Sequence, residues 1–411
     1  MALLYAKLGV KTIFARDNGK PPFTILGMNL MTYVQKNQRS LKQQPCTPLD
    51  LVGFAWLTYC DYGQRDGEWP LTYERLYHDP YYREITAFKE SFFPGKSRRF
   101  FALISRSKRY KSSQILAHFS VRDKVNSVQF CALAIRFGEN IVIAYEGTDI
   151  SREGWEEDFM LSYSYSIPSY DLAMQFYEKI AQDHEGPIYL TGHSKGGNIA
   201  EYVLARVEDD SRIVGSYSFE GPGFRDPQFF DAHPERTVKM HKYMPQGAFV
   251  GVIFEDKAET KIVKSNAVAL LQHDPFSWVI EKDDFVYRKD ITRSAKITHA
   301  TVNGWVAALE DEEKKRFGKL FFAATTKMKV ADYTQFFKEF PLKIPFLYGQ
   351  YRHFSPEDRA FCRKVIRSLI DNMKLATGKK PKVEKAPTKK KPQTQKKKEA
   401  APKKQKAPKK K

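Results

Sequence analysis

The chain has 411 residues, with 68 Lys and Arg against 48 Asp and Glu for a formal charge of +20, and it is 42% hydrophobic and 14% aromatic. That apolar content excludes a wholly disordered protein. The charge is also unevenly placed: residues 374–411 hold 17 Lys, no Arg and 2 Glu, a net +15, which leaves only +5 for the other 373 residues. Three segments follow: an N-terminal extension 1–27, a globular domain 28–373 and a tail 374–411. The tail sets Pro381, Pro387, Pro392, Pro402 and Pro408 among lysines and has no aromatic residue. It cannot bury enough apolar area to offset chain entropy and is expected to be disordered.

Cys46, Cys60, Cys131 and Cys362 lack C-x-x-C spacing, which argues against a zinc knuckle or a dithiol pair. No stretch of ~18 uncharged apolar residues occurs, and Lys7 and Lys11 interrupt the apolar start. A cytoplasmic protein is expected, peripheral at the inner membrane surface where the tail engages lipid.

In chain order, residues 28–34 read as a short helix. Residues 51–57 read as a buried helix capped by Thr47 or Asp50. The Tyr- and Pro-rich stretch 63–97 reads as loops around short helices. Residues 115–120 and 128–135 read as strand, turn, strand, followed by a continuous apolar run at 140–145 suited to a strand buried on both faces. A helix is predicted at 169–182 from Leu172, Ala173, Phe176, Tyr177 and Ile180, then a strand at 187–192. Next come a helix whose one face carries Ile199, Ala200, Val203, Leu204 and Val207, and a strand at 213–219. Residues 238–244 and 249–254 are candidates for one or two more strands. Residues 303–373 are helical by pattern, with a start signal at Ser355-Pro356-Glu357-Asp358. The alternation predicts an α/β fold with a mainly parallel sheet and flanking helices.

Gly192-His193-Ser194-Lys195-Gly196 fits G-x-S-x-G and joins a predicted strand to a predicted helix. That context suits a nucleophile elbow, in which a sharp turn lifts the Ser hydroxyl out of the sheet. A Ser nucleophile also needs donors for the oxyanion that forms. The Lys195 amide, just past the nucleophile, is one. Thr148, at the end of the 140–145 strand, offers another, although Gly147-Thr148 also reads as a simple turn capped by Asp149.

Several motifs together resemble a family of bacterial α/β-hydrolases of unassigned substrate, long catalogued as a domain of unknown function and distantly similar to class 3 lipases. Ala144-Tyr145-Glu146-Gly147-Thr148-Asp149 is similar to the family's A-F-R-G-T-D. Gly154-Trp155-Glu156-Glu157-Asp158 is similar to its W-x-E-D, and residues 192–198 match its G-H-S-K-G-G-N. Phe219-Glu220-Gly221-Pro222-Gly223-Phe224 resembles F-D-G-P-G-F; Val263-Lys264-Ser265 and residues 272–278 resemble V-K-S and Q-H-D-P-x-S-W. Glu146 and Glu220 depart from the family's usual Arg and Asp.

The resemblance implies an α/β-hydrolase fold and singles out His273 among His233, His241, His273, His299 and His353 as the general base. Glu220 follows the strand after the nucleophile helix and is the first candidate for the orienting acid, with Asp226, Asp256 and Asp274 as alternatives. The expected function is a serine ester hydrolase acting on a lipid or small acyl ester, with Ser194, His273 and Glu220 as its triad and amides at Thr148 and Lys195 as its oxyanion donors. No metal or organic cofactor is implied. Met160, Tyr163, Tyr165 and Tyr170 could line an acyl-chain pocket. A second expectation is a weak or inactive hydrolase-fold binding protein, tethered through residues 374–411 to anionic membrane or nucleic acid.

Overall fold

The computed structural model describes residues 27–87 and 94–379; the extension up to residue 26 and the lysine-rich stretch from 380 lie outside the described residues. The last helix, Pro356–Ala376, carries regular structure three residues beyond 373.

Among the described residues the centre is a nine-stranded sheet. Its strands are β1 (Leu71–Thr72), β2 (Gln114–Asp123), β3 (Val128–Phe137), β4 (Asn140–Tyr145), β5 (Ile188–His193), β6 (Ile213–Phe219), β7 (Met240–Pro245) and β8 (Glu259–Val263). A short hairpin of β9 (Ile280–Glu281) and β10 (Asp284–Phe285) precedes β11 (Tyr287–Arg288), which pairs with the far edge of the sheet. β4 through β8 run parallel, and β1 to β3 are added antiparallel on one side, as β11 is on the other. The sheet is therefore mixed, with the expected parallel order at its heart: this is the α/β-hydrolase fold.

Side-chain alternation along the strands builds two cores. Leu133, Ile135, Phe137 and Val142 face the helices Pro48–Leu57 and Pro94–Arg106, whereas Ala132, Ala134, Ile141 and Ile143 face Pro168–Asp183 and Lys195–Arg206. Residues 249–254 are not a strand, because the amides of Phe249 and Val250 turn to the Glu220 carboxylate instead of a neighbouring strand. β8 takes the next sheet position, a strand that the sequence pattern does not announce.

The Pro48–Leu57 helix begins with Thr47 as N-cap and Asp50 closing a capping box. Asp50 also accepts two bonds from the buried Arg109 guanidinium, at 2.7 and 2.6 Å, and one from Tyr110 at 2.6 Å. Arg109 spends its remaining donors on the carbonyls of Arg39, Gln44 and Pro45. One buried ion pair thus fixes the helix, the loop before it and the turn before β2.

The C-terminal helices attach to one another and to the carboxyl end of the sheet. Trp305 Nε1 donates to Val365 O at 3.2 Å, the Asn303 side chain accepts from Phe254 N at 2.8 Å, and Tyr333 N donates to Ile150 O at 3.0 Å.

Replacing Arg109 by Met leaves Asp50 buried without its cation and is expected to cost about 3–5 kcal/mol in urea unfolding; a loss below about 1 kcal/mol would show that the pair does not anchor this layer.

Candidate active site

β4, β5 and β6 are neighbouring parallel strands, so their carboxyl ends open on one side of the sheet. Ser194 stands between β5 and the helix Lys195–Arg206 with φ 57° and ψ −130°, a strained conformation for a residue with a Cβ. The turn is possible because the helix start presses directly on the end of β4. A Cβ at Gly196 would lie 2.1 Å from Tyr145 O, and one at Gly147 would meet Tyr59 Oη at 2.3 Å, His193 O at 2.5 Å and Ser194 Cβ at 3.1 Å. The 146–149 turn is therefore packed against the elbow.

Glu220, the residue after β6, also has positive φ, 53°. Its amide donates to Tyr243 O at 2.7 Å, and its Oε1 accepts from Phe249 N at 2.9 Å. Its Oε2 lies 3.0 Å from His273 Nδ1. The ring and carboxylate are not aligned for a hydrogen bond, so the contact is one of proximity. Of the carboxylates considered, Glu220 is the one the fold brings to His273. Asp256 pairs with Lys242 at 2.7 Å, Asp274 caps the next turn by accepting from Phe276 N at 2.9 Å, and Asp226 lines a separate cleft. His233 and His241 face Glu235 and Glu259 on other strands and loops, and His299 Nδ1 lies 2.8 Å from Val252 O.

His273 sits in the loop between β8 and β9, and its ring centroid is 4.5 Å from that of His193. His193 Nε2 donates to the His273 carbonyl at 2.8 Å, which leaves Nδ1 to accept from Tyr59 Oη at 3.1 Å. Burial holds the His193 imidazole well below its ordinary pKa, with His273 adding to the effect, so this ring is a neutral clamp between the elbow and the His273 loop. Among the described residues no hydrogen bond joins the Ser194 hydroxyl to the His273 ring.

As the first residue of its helix, Lys195 has a backbone N–H without an intrahelical acceptor. Its side chain has a structural role that the sequence reading missed. Lys195 Nζ is buried and donates to Gln129 O at 2.7 Å, Gln129 Oε1 at 2.9 Å and Glu157 Oε2 at 2.7 Å. Glu157 in turn accepts from Ser169 N and Oγ at 2.9 and 2.6 Å. Gln129 Nε2 donates to Glu146 Oε2 at 2.7 Å and to Gly147 O at 3.3 Å. Glu146, in a position where the resembled motif has Arg, is thus held by Gln129. The pairing of a Lys after the nucleophile with the acidic W-x-E-D motif was the available signal; Gln129, inside an apolar strand, had none.

Thr148 Oγ1 donates to Asp158 Oδ2 at 2.7 Å, while Asp149 accepts from Ser151 N at 2.7 Å. Asp149 thus closes this turn, and the Thr148 hydroxyl is fixed from behind. Burial pushes the Asp158 carboxyl up to about 6, opposed by the charge of Lys195 and the Thr148 bond. Tyr165 and Tyr170 line a cleft of about 370 Å³ with Tyr202, Arg225 and Phe254. Met160, Tyr163, Ser194 and His273 are not in its lining.

Two measurements follow from these contacts. In urea unfolding, Glu157→Leu strands the Lys195 ammonium and should cost about 3–5 kcal/mol, with Lys195→Met/Glu157→Leu recovering part of it; additive losses would show that the two do not act as a pair. The Asp158 carboxyl keeps its proton to about pH 6 in the fold but loses it near 4 when unfolded. The native state binds more protons in that window, so this group lowers stability as pH rises from about 4 to 6. Urea midpoints of wild type relative to Asp158→Asn should fall across that window, and parallel pH profiles would contradict the assignment.

The Mbeg1-like family model matches residues 104–323, more than half of the chain. No curated protein sequence matches it. Among solved structures, the chain is similar to the lipase from Rhizopus microsporus var. chinensis, at 12% identity over 66% of this chain and 92% of that one, with a TM-score of 0.38. It is also similar to lipase II from Rhizopus niveus, at 13% identity over 53% and 80% with a TM-score of 0.34. The mono- and diacylglycerol lipase from Aspergillus oryzae matches at 13% identity over 59% and 88%, with a TM-score of 0.33. By the extent of the family match, which takes in the elbow, Glu220 and His273, this chain belongs to the Mbeg1-like family.

Proposed function

We propose that the protein is a serine ester hydrolase. The observation that carries this reading is the paired strain at the ends of two adjacent parallel strands, Ser194 after β5 and Glu220 after β6, with His273 Nδ1 3.0 Å from the Glu220 carboxylate. Backbone strain in such positions persists only where surrounding packing imposes it, and it concentrates at functional sites.

The Ser194 hydroxyl attacks the acyl carbonyl and gives its proton to His273 Nε2. Glu220 faces the other ring nitrogen, sets the tautomer and stabilises the imidazolium. The tetrahedral oxyanion is met by the amides of Lys195 and Thr148, the latter held in place through its hydroxyl by Asp158. Collapse expels the alcohol, which takes the proton from His273, and a water activated by the same ring releases the acid. Catalytic hydrogen bonds in unliganded enzymes commonly align only on substrate binding, and the unaligned His273 ring fits that pattern. The substrate class is a lipid or small acyl ester.

A fluorophosphonate probe should label the wild type on Ser194. Ser194→Ala should abolish labelling and lower kcat on p-nitrophenyl esters by about 10³-fold or more, while Glu220→Gln lowers it by about 10²–10⁴. Labelling or turnover that survives Ser194→Ala would sink the proposal, and a panel varying acyl length would then define the substrate if it stands.

A further inference from the structure

The helix Phe340–Tyr351 is apolar on every side, and none of its residues is fully buried. Its sequence, FPLKIPFLYGQY, contains one charged residue, Lys343, which pairs with Glu339 at 3.0 Å. Leu342 is 71% exposed, Phe346 64%, Tyr348 62% and Ile344 37%, and none of its residues is buried. A Cβ at Gly349 would meet nothing within 4 Å. Helices that are apolar all round are ordinarily enclosed by protein or lipid. At 12 residues this one is only about 18 Å long, too short to cross a bilayer, and no described helix is long and apolar enough to do so.

The helix is also set in the basic end of the chain. Residues 340–411 carry 23 Lys and Arg against 5 Asp and Glu, a net +18 of the chain's +20. On the following helix, Arg359 donates to the carbonyls of Arg352 and Phe354, and Arg363 to Tyr351 Oη; among the described residues no carboxylate neutralises either.

We propose that the Phe340–Tyr351 helix is a membrane-docking element, which lies in the headgroup region of an anionic bilayer while the basic residues around and after it bind the lipid phosphates. Stable attachment of a peripheral protein takes two signals, an inserted apolar group and a polybasic segment, and both occur here in one stretch of chain. The charge selects the occupant. A second copy would bring another +18 against the first, and a nucleic acid would satisfy the lysines but leave Leu342, Phe346 and Tyr348 in water. The helix is mounted rigidly at its start: Phe340 packs on Phe336 and Phe337 at 5.8 and 6.2 Å. Phe337 lies 4.3 Å from Trp155, in the helix that carries Asp158. The docked surface therefore joins the oxyanion turn through one aromatic stack. The proposal does not depend on the chemistry assigned to Ser194.

The test uses the full chain and vesicles of phosphatidylcholine with or without about one third phosphatidylglycerol. Wild type should cosediment with the anionic vesicles at low salt and not with the neutral ones. Leu342→Ser/Phe346→Ser/Tyr348→Ser should weaken partitioning by about tenfold or more, as should high salt or a full-length chain with glutamine for every lysine from 380 onward. Thermal unfolding and fluorophosphonate labelling should be unchanged in the triple variant, since it touches neither core nor site. In a separate Phe346→Trp chain, the difference in emission from wild type should shift to the blue on anionic vesicles and be quenched by brominated lipid. Undiminished vesicle binding by the triple variant, or emission from the Phe346→Trp chain that is indifferent to lipid, would overturn the proposal. So would a wild-type dimer that the triple variant dissociates, which would assign the helix to a second copy, or duplex DNA binding lost in the triple variant.

Discussion

The Lys195 ammonium has been taken out of water at the first turn of the elbow helix, and the geometry around Ser194 depends on how it is satisfied. Transferring such a charge to the interior costs several kcal/mol and is tolerated only when close partners compensate. Here the compensation comes from a carbonyl, an amide oxygen and a carboxylate drawn from two other elements, β3 and the helix Arg152–Met160. Because Gln129 also bonds to Glu146 and the Gly147 carbonyl, the same network fixes the turn packed against Ser194. Lys195, next to Ser194, thus serves through its side chain as the tie holding strand, turn and helix together.

A second constraint operates through backbone proximity. The elbow helix starts against the end of β4 with no room for a side chain at Gly196, and Gly147 is enclosed by Tyr59 and the elbow itself. Tyr59 also donates to His193, whose other nitrogen holds the carbonyl of His273. The Ser194 elbow, the 146–149 turn and the His273 loop are consequently referenced to one tyrosine from the layer beneath the sheet. That layer is in turn fixed by the buried Arg109–Asp50 pair. The hydrogen bonds of Tyr59, His193, Lys195 and Gln129 connect these segments, which favours one arrangement of the site over near alternatives.

Much of the fold was legible in the sequence because it depends on local pattern. Apolar runs marked β3, β4 and β5 as strands, β4 as one covered on both faces, the helical spacing after residue 168 marked the next helix, and Ser355-Pro356 announced the last one. The failures came where tertiary partners override local preference. Residues 249–254 have the composition of a strand, yet the amides of Phe249 and Val250 serve the Glu220 carboxylate. β8 has little apolar signal because it lies near an edge, where only Val263 is buried. The exposed Phe340–Tyr351 helix reads in sequence like any core helix; only the structure leaves it uncovered.

The sequence by itself determined that this protein has an elbow with Ser194 at its apex, because the strand, the glycines and the helix that make the turn are consecutive and their chemistry is local. It also determined that the positive charge gathers at the C-terminal end. Only the tertiary structure decided which carboxylate meets His273, since Glu220, Asp226, Asp256 and Asp274 differ in what the folded chain packs around them rather than in kind. It alone revealed that Lys195, Glu157 and Gln129 form one unit, because three residues from separate elements can be paired only once parallel strands and crossover helices have brought them together.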